Sequence, residues 1–223
     1  MLVDGEGQHR NGKRDTYFWP RPWTAATPPQ NDARWQSTPE FDWASGIYAG
    51  GYGAHNEIAV THQRQLLYLK PERLLVVFDT LTPKDAREHK FEALFHLDTA
   101  EAVVDTATQA VSSRNTGAAN VVILPVDSKG MEVRLVKGKE DEPVQGWANG
   151  PWRAIPTAVF RKSGTGTQHF CFVVEPVGPG ALPRVIRVEP LAGGARLTLS
   201  GGATLEVQLT PEPAVKRAPA AAR

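Results

Sequence analysis

IAVTHQRQLLYLKPERLLVVFDT (Ile58–Thr80) reads as two strands joined by a tight turn. Ile58 to Leu69 alternates well enough to put His62, Arg64, Leu66 and Tyr68 on one face and Thr61, Gln63 and Gln65 on the other. Lys70-Pro-Glu-Arg73 is turn chemistry, and Leu74 to Thr80 returns as a second, more apolar strand. Outward from this hairpin the same signal repeats. Strands are predicted at His89–Leu97, Asn120–Pro125, Glu132–Lys137, Thr157–Arg161, Gln168–Val174, Val185–Glu189, Ala195–Leu199 and Ala203–Leu209. Turns are predicted at Ser128-Lys-Gly130, Ala192-Gly-Gly194 and Ser200-Gly-Gly202. Helical periodicity is nearly absent, and 18 Pro and 20 Gly punctuate the 223 residues. The expected fold is all-β, an antiparallel two-sheet β-sandwich over residues 1–210, in which paired sheets bury the alternating faces.

Both ends of the chain differ from this pattern. The first 55 residues hold four of the six Trp and three of the four Tyr among Pro, Asn, Asp and Gly, and read as a long aromatic-rich loop region. Exposed Trp and Tyr stack on the apolar faces of sugar rings, and in a Pro-rich loop they equally serve to pin the loop to a sandwich. Residues 211–223 are an Ala/Pro-rich tail with little to bury, expected to be mobile. The start, Met1-Leu-Val-Asp-Gly-Glu-Gly, reads as the second half of a strand followed by a turn. Two explanations compete: a domain that begins on a strand, or a chain whose first part is missing.

Composition excludes several function classes. Lys+Arg (25) balance Asp+Glu (24), so no overall field favours nucleic acid or an anionic membrane. No apolar run approaches the roughly 20 residues that span a bilayer, and there is no room for a signal peptide. The single cysteine, Cys171, lies in the run Phe170-Cys-Phe-Val-Val174 and reads as a buried small hydrophobe rather than a nucleophile. Gly46 to Gly53 lacks the Lys-Ser/Thr of a phosphate loop, and no Gly-x-Ser-x-Gly elbow occurs. His96 and Asp98 have the chemistry of metal ligands or an acid/base pair, but without a supporting cluster their reading is structural. Arg64 suits bidentate binding of a carboxylate; the competing reading pairs it with a neighbouring acid.

Taken in order, Val3-Asp-Gly-Glu-Gly-Gln8, Phe41-Asp-Trp-Ala-Ser-Gly-Ile-Tyr48, Thr61-His-Gln-Arg64, Leu69-Lys-Pro71, Val76-Val-Phe-Asp-Thr-Leu81 and Phe95-His-Leu-Asp98 resemble the C-terminal β-sandwich region of the heparinase II/III-like polysaccharide lyases. In that family a His-Asn-Thr segment precedes the first motif, and Met1 stands where it would just have ended. The resemblance implies a glycan-cleaving context in which an upstream (α/α) toroid and the first sandwich strands supply most of the catalytic groups and the metal ligands. It implies β-elimination on uronate-containing chains of heparan/heparin or alginate type, with an acidic polysaccharide or oligosaccharide as partner. It also implies a periplasmic or secreted location.

Lacking the upstream motifs, the chain is expected to be inactive alone and to hold neither a metal nor another cofactor. The alternative is a stand-alone carbohydrate-binding or purely structural sandwich. The elimination needs a base, an acid and a group that neutralises the carboxylate. Candidates for catalytic roles are Tyr17, Tyr48 and His62, with Tyr52 of the same chemistry; for substrate binding they are Arg64, Trp19, Trp23, Trp35, Gln8 and His9.

Overall fold

The computed structural model describes residues 1–8, 33–148 and 152–220. In chain order the strands are β1 (Leu2–Val3), β2 (Arg34–Ser37), β3 (Phe41–Tyr48), β4 (Val60–Leu69), β5 (Leu74–Pro83), β6 (His89–His96), β7 (Ala102–Val104), β8 (Val111–Ser113) and β9 (Asn120–Pro125). They continue with β10 (Glu132–Lys137), β11 (Trp147–Ala148), β12 (Arg153–Ala154), β13 (Pro156–Gly164), β14 (Gln168–Val177), β15 (Val185–Leu191), β16 (Gly194–Leu199), β17 (Thr204–Gln208) and β18 (Ala214–Ala218). Among the described residues there is no helix, and so none long and apolar enough to cross a membrane.

The Ile58–Thr80 hairpin forms as read. Leu69 pairs with Leu74 across the turn, and the register runs back through Arg64↔Asp79 to Val60↔Pro83. It lies inside an eight-stranded antiparallel sheet ordered β2-β3-β4-β5-β14-β9-β8-β7. The sandwich expected from the sequence is present, formed by this sheet and the four-stranded sheet β1-β6-β13-β10. The sheet β15-β16-β17-β18 adds a layer on the opposite face. That explains why Leu74-Leu-Val-Val-Phe78 and Phe170-Cys-Phe-Val-Val174 are continuous apolar runs. They form adjacent central strands covered on both sides. Cys171 is buried there, its thiol pushed up to about 12 by burial, which makes it an inert core group.

One core joins Phe41, Trp43, Leu67, Leu69 and Val173 to Leu197, Leu205 and Val207 of the outer C-terminal sheet. The other joins Val60, Val77, Leu81 and Phe172 to Val3, Phe91, Ala158 and Phe160. Each fully buried Leu or Phe contributes about 1.5–3 kcal/mol, so the two cores are of comparable importance to stability.

Two expectations are corrected. The aromatic-rich region is not loop throughout to residue 55: β2 and β3 extend the large sheet, Trp43 is core, and Tyr52 is fully buried. Pairing with β4 along Phe41–Tyr48 overrides the local Pro and Gly content. The Ala/Pro stretch after residue 210 is not simply a tail, because Ala214–Ala218 pairs along the length of β17. Arg217 there meets Glu72 at 2.8 Å and Glu40 at 3.2 Å, which ties this edge strand to the β4–β5 and β2–β3 turns.

Candidate functional site

The first turn positions the N-terminal motif. Asp4 (φ 53°) and Gly5 (φ 85°) are the central residues of a two-residue reversal closed by Val3 N–H to Glu6 C=O and Glu6 N–H to Val3 C=O, at 3.0 and 2.9 Å. Such a turn needs positive φ at both positions, which Asp-Gly supplies. Asp4 then accepts the Lys90 amide at 2.8 Å and meets Nδ1 of His89 at 2.7 Å, while Nε2 of His89 meets Asp85 at 2.8 Å. With a carboxylate on each ring nitrogen, both nitrogens must donate, so His89 is an imidazolium. Burial lowers its pKa, but the hydrogen bonds to Asp4 and Asp85 outweigh that and raise it. Asp85 is correspondingly pulled down to about 2, chiefly by its hydrogen bonds from His89 and Arg87.

Past this turn, Gln8 enters a buried network. Its Nε2 donates to the Tyr52 hydroxyl and to Nδ1 of His62, both at 3.0 Å. His62 Nε2 donates to Oδ1 of Asp79 at 2.7 Å, which leaves Nδ1 to face Gln8. Arg64 grips the same carboxylate with two nitrogens, Nε to Oδ1 at 2.7 Å and Nη2 to Oδ2 at 2.9 Å. Asp79 is fully buried; burial pushes its carboxyl up, yet the hydrogen bonds from His62 and Arg64 hold it below the usual carboxylate range. Tyr52 is also fully buried, and desolvation drives its phenol well above the ordinary value. Gly51 sets this segment: at φ +84° a Cβ would lie 2.9 Å from the Asn56 carbonyl oxygen.

Above the network lies an open face. Strand register and alternation put Trp35, Tyr48, Arg64 and Tyr68 on the same side of β2, β3 and β4, the side of the His62–Asp79 cluster. Trp35 is 68% exposed, Tyr68 39% and the Arg64 side chain 42%. Among the described residues no atom lies within 4 Å of where a Cβ on Gly46, opposite Arg64, would stand, so they leave space beside the guanidinium. Tyr48 meets Tyr52 edge to face at 6.4 Å.

The structure therefore brings Gln8, His62, Arg64 and Tyr48 together and leaves Trp35 on the same face. His9, Tyr17, Trp19 and Trp23 lie outside the described residues. Arg64 does pair with an acid, as one of its two readings held, and any further carboxylate must meet its outward edge. His62 is 7% exposed with both ring nitrogens engaged, so it positions Gln8 and Asp79 and is not itself open to a reactant. His96 and Asp98 follow the structural reading: His96 Nδ1 lies 2.9 Å from the Thr157 hydroxyl, and Asp98 is paired with Arg153. Among the described residues no cluster of His, Cys, Asp and Glu is arranged to hold a metal ion. Sequence reasoning missed Asp79 as the hub, although a lone acid inside Leu74-Leu-Val-Val-Phe-Asp-Thr-Leu81 signals a partner on the neighbouring strand.

Comparison with known proteins agrees with this architecture. Residues 2–148 match the family described as Heparinase II/III-like, C-terminal, and the chain belongs to that family. Among solved structures, heparan sulfate lyase HepC from Pedobacter heparinus matches with TM-score 0.57 and 17% identity over 86% of this chain and 28% of that one. A mutant of the same lyase gives TM-score 0.57 and 18% identity over 84% and 27%. Heparinase III gives TM-score 0.51 and 13% identity over 84% and 27%. At these identities the likeness concerns the fold, and this chain spans little more than a quarter of each of those proteins. No curated protein sequence matches it.

Proposed function

We propose that this chain is the C-terminal β-sandwich of a polysaccharide lyase that cleaves uronate-containing glycans, of heparan/heparin or alginate type, by β-elimination. It forms one wall of the substrate groove and is inactive alone. The observation that carries this reading is the shared face of Trp35, Tyr48, Arg64 and Tyr68 in a member of the heparinase II/III-like family. Trp35 and Tyr68 offer ring faces to sugars, and Arg64, held rigid by Asp79, offers charge to a uronate.

The elimination also needs a base for the C5 proton and an acid for the leaving oxygen. His62 is closed between Asp79 and Gln8, and the Tyr52 phenol is buried and hard to ionise. Tyr48 is the remaining candidate among the described residues on the open face. In this reading catalysis is completed by a partner domain that carries the other groups, acting outside the cytoplasm on an acidic polysaccharide.

The test is to incubate the purified chain with heparan sulfate and with alginate, following ultraviolet absorbance of unsaturated uronate, and to titrate both glycans calorimetrically at low and moderate salt. The expected result is no product, with saturable binding that weakens as salt rises. Turnover by the isolated chain overturns its inactivity. Absence of binding to either glycan overturns the groove wall.

A further inference from the structure

The outer face of the β1-β6-β13-β10 sheet points away from the His62–Asp79 cluster and carries charge. Alternation sends Phe91, Ala93, Ala158 and Phe160 into the core. Lys90, Glu92, Arg161 and Arg134 are left on the other side, brought abreast by the pairing of β6 and β10 with β13. The segment after β10, closed by the Lys139–Gln145 bridge, borders a cleft of about 210 Å³ over this face.

Four cations, Lys90, Arg134, Lys139 and Arg161, line the cleft against two carboxylates, Asp4 and Glu92. Asp4 is already neutralised by His89 at 2.7 Å. Glu92, 4% exposed, spends one oxygen on Arg134 Nη2 at 3.0 Å and on Arg161 Nε and Nη2 at 3.0 and 2.8 Å. Glu132 lies 3.7 Å from Arg161 Nη1. Lys139 donates to the carbonyls of Asp141 and Pro143, which shapes the rim while keeping its charge there.

A second observation is independent of charge. Gln145 is 6% exposed and lines the same cleft, and its Oε1 has no hydrogen-bond partner among the described residues. A buried acceptor left unpaired is an exception that calls for a donor. The occupant that satisfies both observations carries an anionic group for the lysine and arginine side and, close by, a hydroxyl for Gln145.

We infer that this cleft binds an anionic sugar unit, its carboxylate or sulfate held by Lys90 and Arg134, and that the buried Gln145 amide turns into the cleft so that its Oε1 accepts one sugar hydroxyl. The site lies on the opposite face of the small sheet from the groove wall proposed above and does not depend on it. The test is a titration of the whole chain with inorganic sulfate, a sulfated heparan disaccharide and an unsulfated alginate disaccharide, read from the backbone amide resonances of Lys90, Arg134 and Gln145.

Saturable shifts with at least one disaccharide are expected; which one responds separates sulfate from carboxylate recognition. Lys90→Ala with Arg134→Gln, which leaves Glu92 paired to Arg161, is expected to weaken binding by about tenfold or more. Gln145→Leu is expected to weaken the disaccharide while leaving inorganic sulfate unchanged. Shifts confined to the Trp35–Arg64 face overturn the site while sparing the groove wall. Shifts at the cleft alone support the site even if the groove wall fails. Binding of inorganic sulfate alone, or disaccharide binding indifferent to Gln145→Leu, overturns the sugar assignment.

Discussion

On one face of the eight-stranded sheet, Phe41, Trp43, Leu67, Leu69, Val76 and Val173 meet the β15–β18 sheet through a mainly apolar contact, its buried polar groups including Glu175, bonded to Arg184 and the Val185 amide, and Gln65, bonded to the Leu209 carbonyl. On the other face the same strands supply His62, Arg64 and Asp79, and the small sheet opposite supplies His89 on its inner side and Glu92 on its outer side, all but Arg64 buried. Burying such groups costs several kcal/mol per ion before pairing repays it, whereas an apolar filling carries no such cost. The C-terminal layer thus acts as cover. On the N-terminal side the sheet gives up stability to hold polar groups in fixed positions, and there the Trp35–Arg64 face and the Gln145 cleft are found.

Substitutions that remove one partner from each face test this contrast. Asp79→Ala strands both His62 and Arg64, and is expected to cost about 4 kcal/mol in urea denaturation, the range for breaking a buried pair. Leu197→Ala, in the apolar layer, is expected to cost about 3 kcal/mol by cavity formation. Its loss should not vary with pH between about 5 and 8, since no titrating group changes partner. If it does vary, the division of roles between the faces is wrong.

His89 gives the polar side its own pH signature. Its pKa is raised on folding, so its contribution is complete below about 6.5 and is lost as pH rises through the folded value. Asp85 is depressed, so its share is complete above about 4 and is lost on acidification toward 2. His89→Gln is expected to flatten the alkaline slope of a stability–pH curve. An unchanged slope would show that another group sets it. The smallest effect belongs to Trp35→Ala, which should move stability by no more than about 0.5 kcal/mol because the ring is 68% exposed. Its consequence should appear in glycan titrations instead.

Much of this was legible. Once Lys70–Arg73 is read as the turn, Leu69 opposes Leu74, and stepping back five residues on each strand opposes Arg64 to Asp79. The hub of the network is therefore contained in the hairpin, but only the pairing register, not the composition of either strand, singles out Asp79 as the partner of Arg64. β3 was hidden because Pro and Gly density spoke louder than the alternation of Phe41-Asp-Trp-Ala-Ser45. The cleft could not be read locally. Glu92, Arg134 and Arg161 are far apart in the chain, and only the pairing of β6, β13 and β10 assembles them. Short-range pattern carries strands and hairpins; which hairpins become neighbours depends on burial summed over whole faces.

The last strand bears on solubility. Ala214–Ala218 occupies the open rim of its sheet with Lys216 and Arg217 upon it and with Pro211, Pro213 and Pro219 around it, residues that discourage a second chain from adding there. A version of the protein ending at Leu209 would bare the pairing groups of Thr204–Gln208, a short alternating strand whose one charge, Glu206, is already paired with Arg196. Such a version is expected to form soluble oligomers and then precipitate at concentrations where the whole chain stays dispersed, which light scattering would reveal.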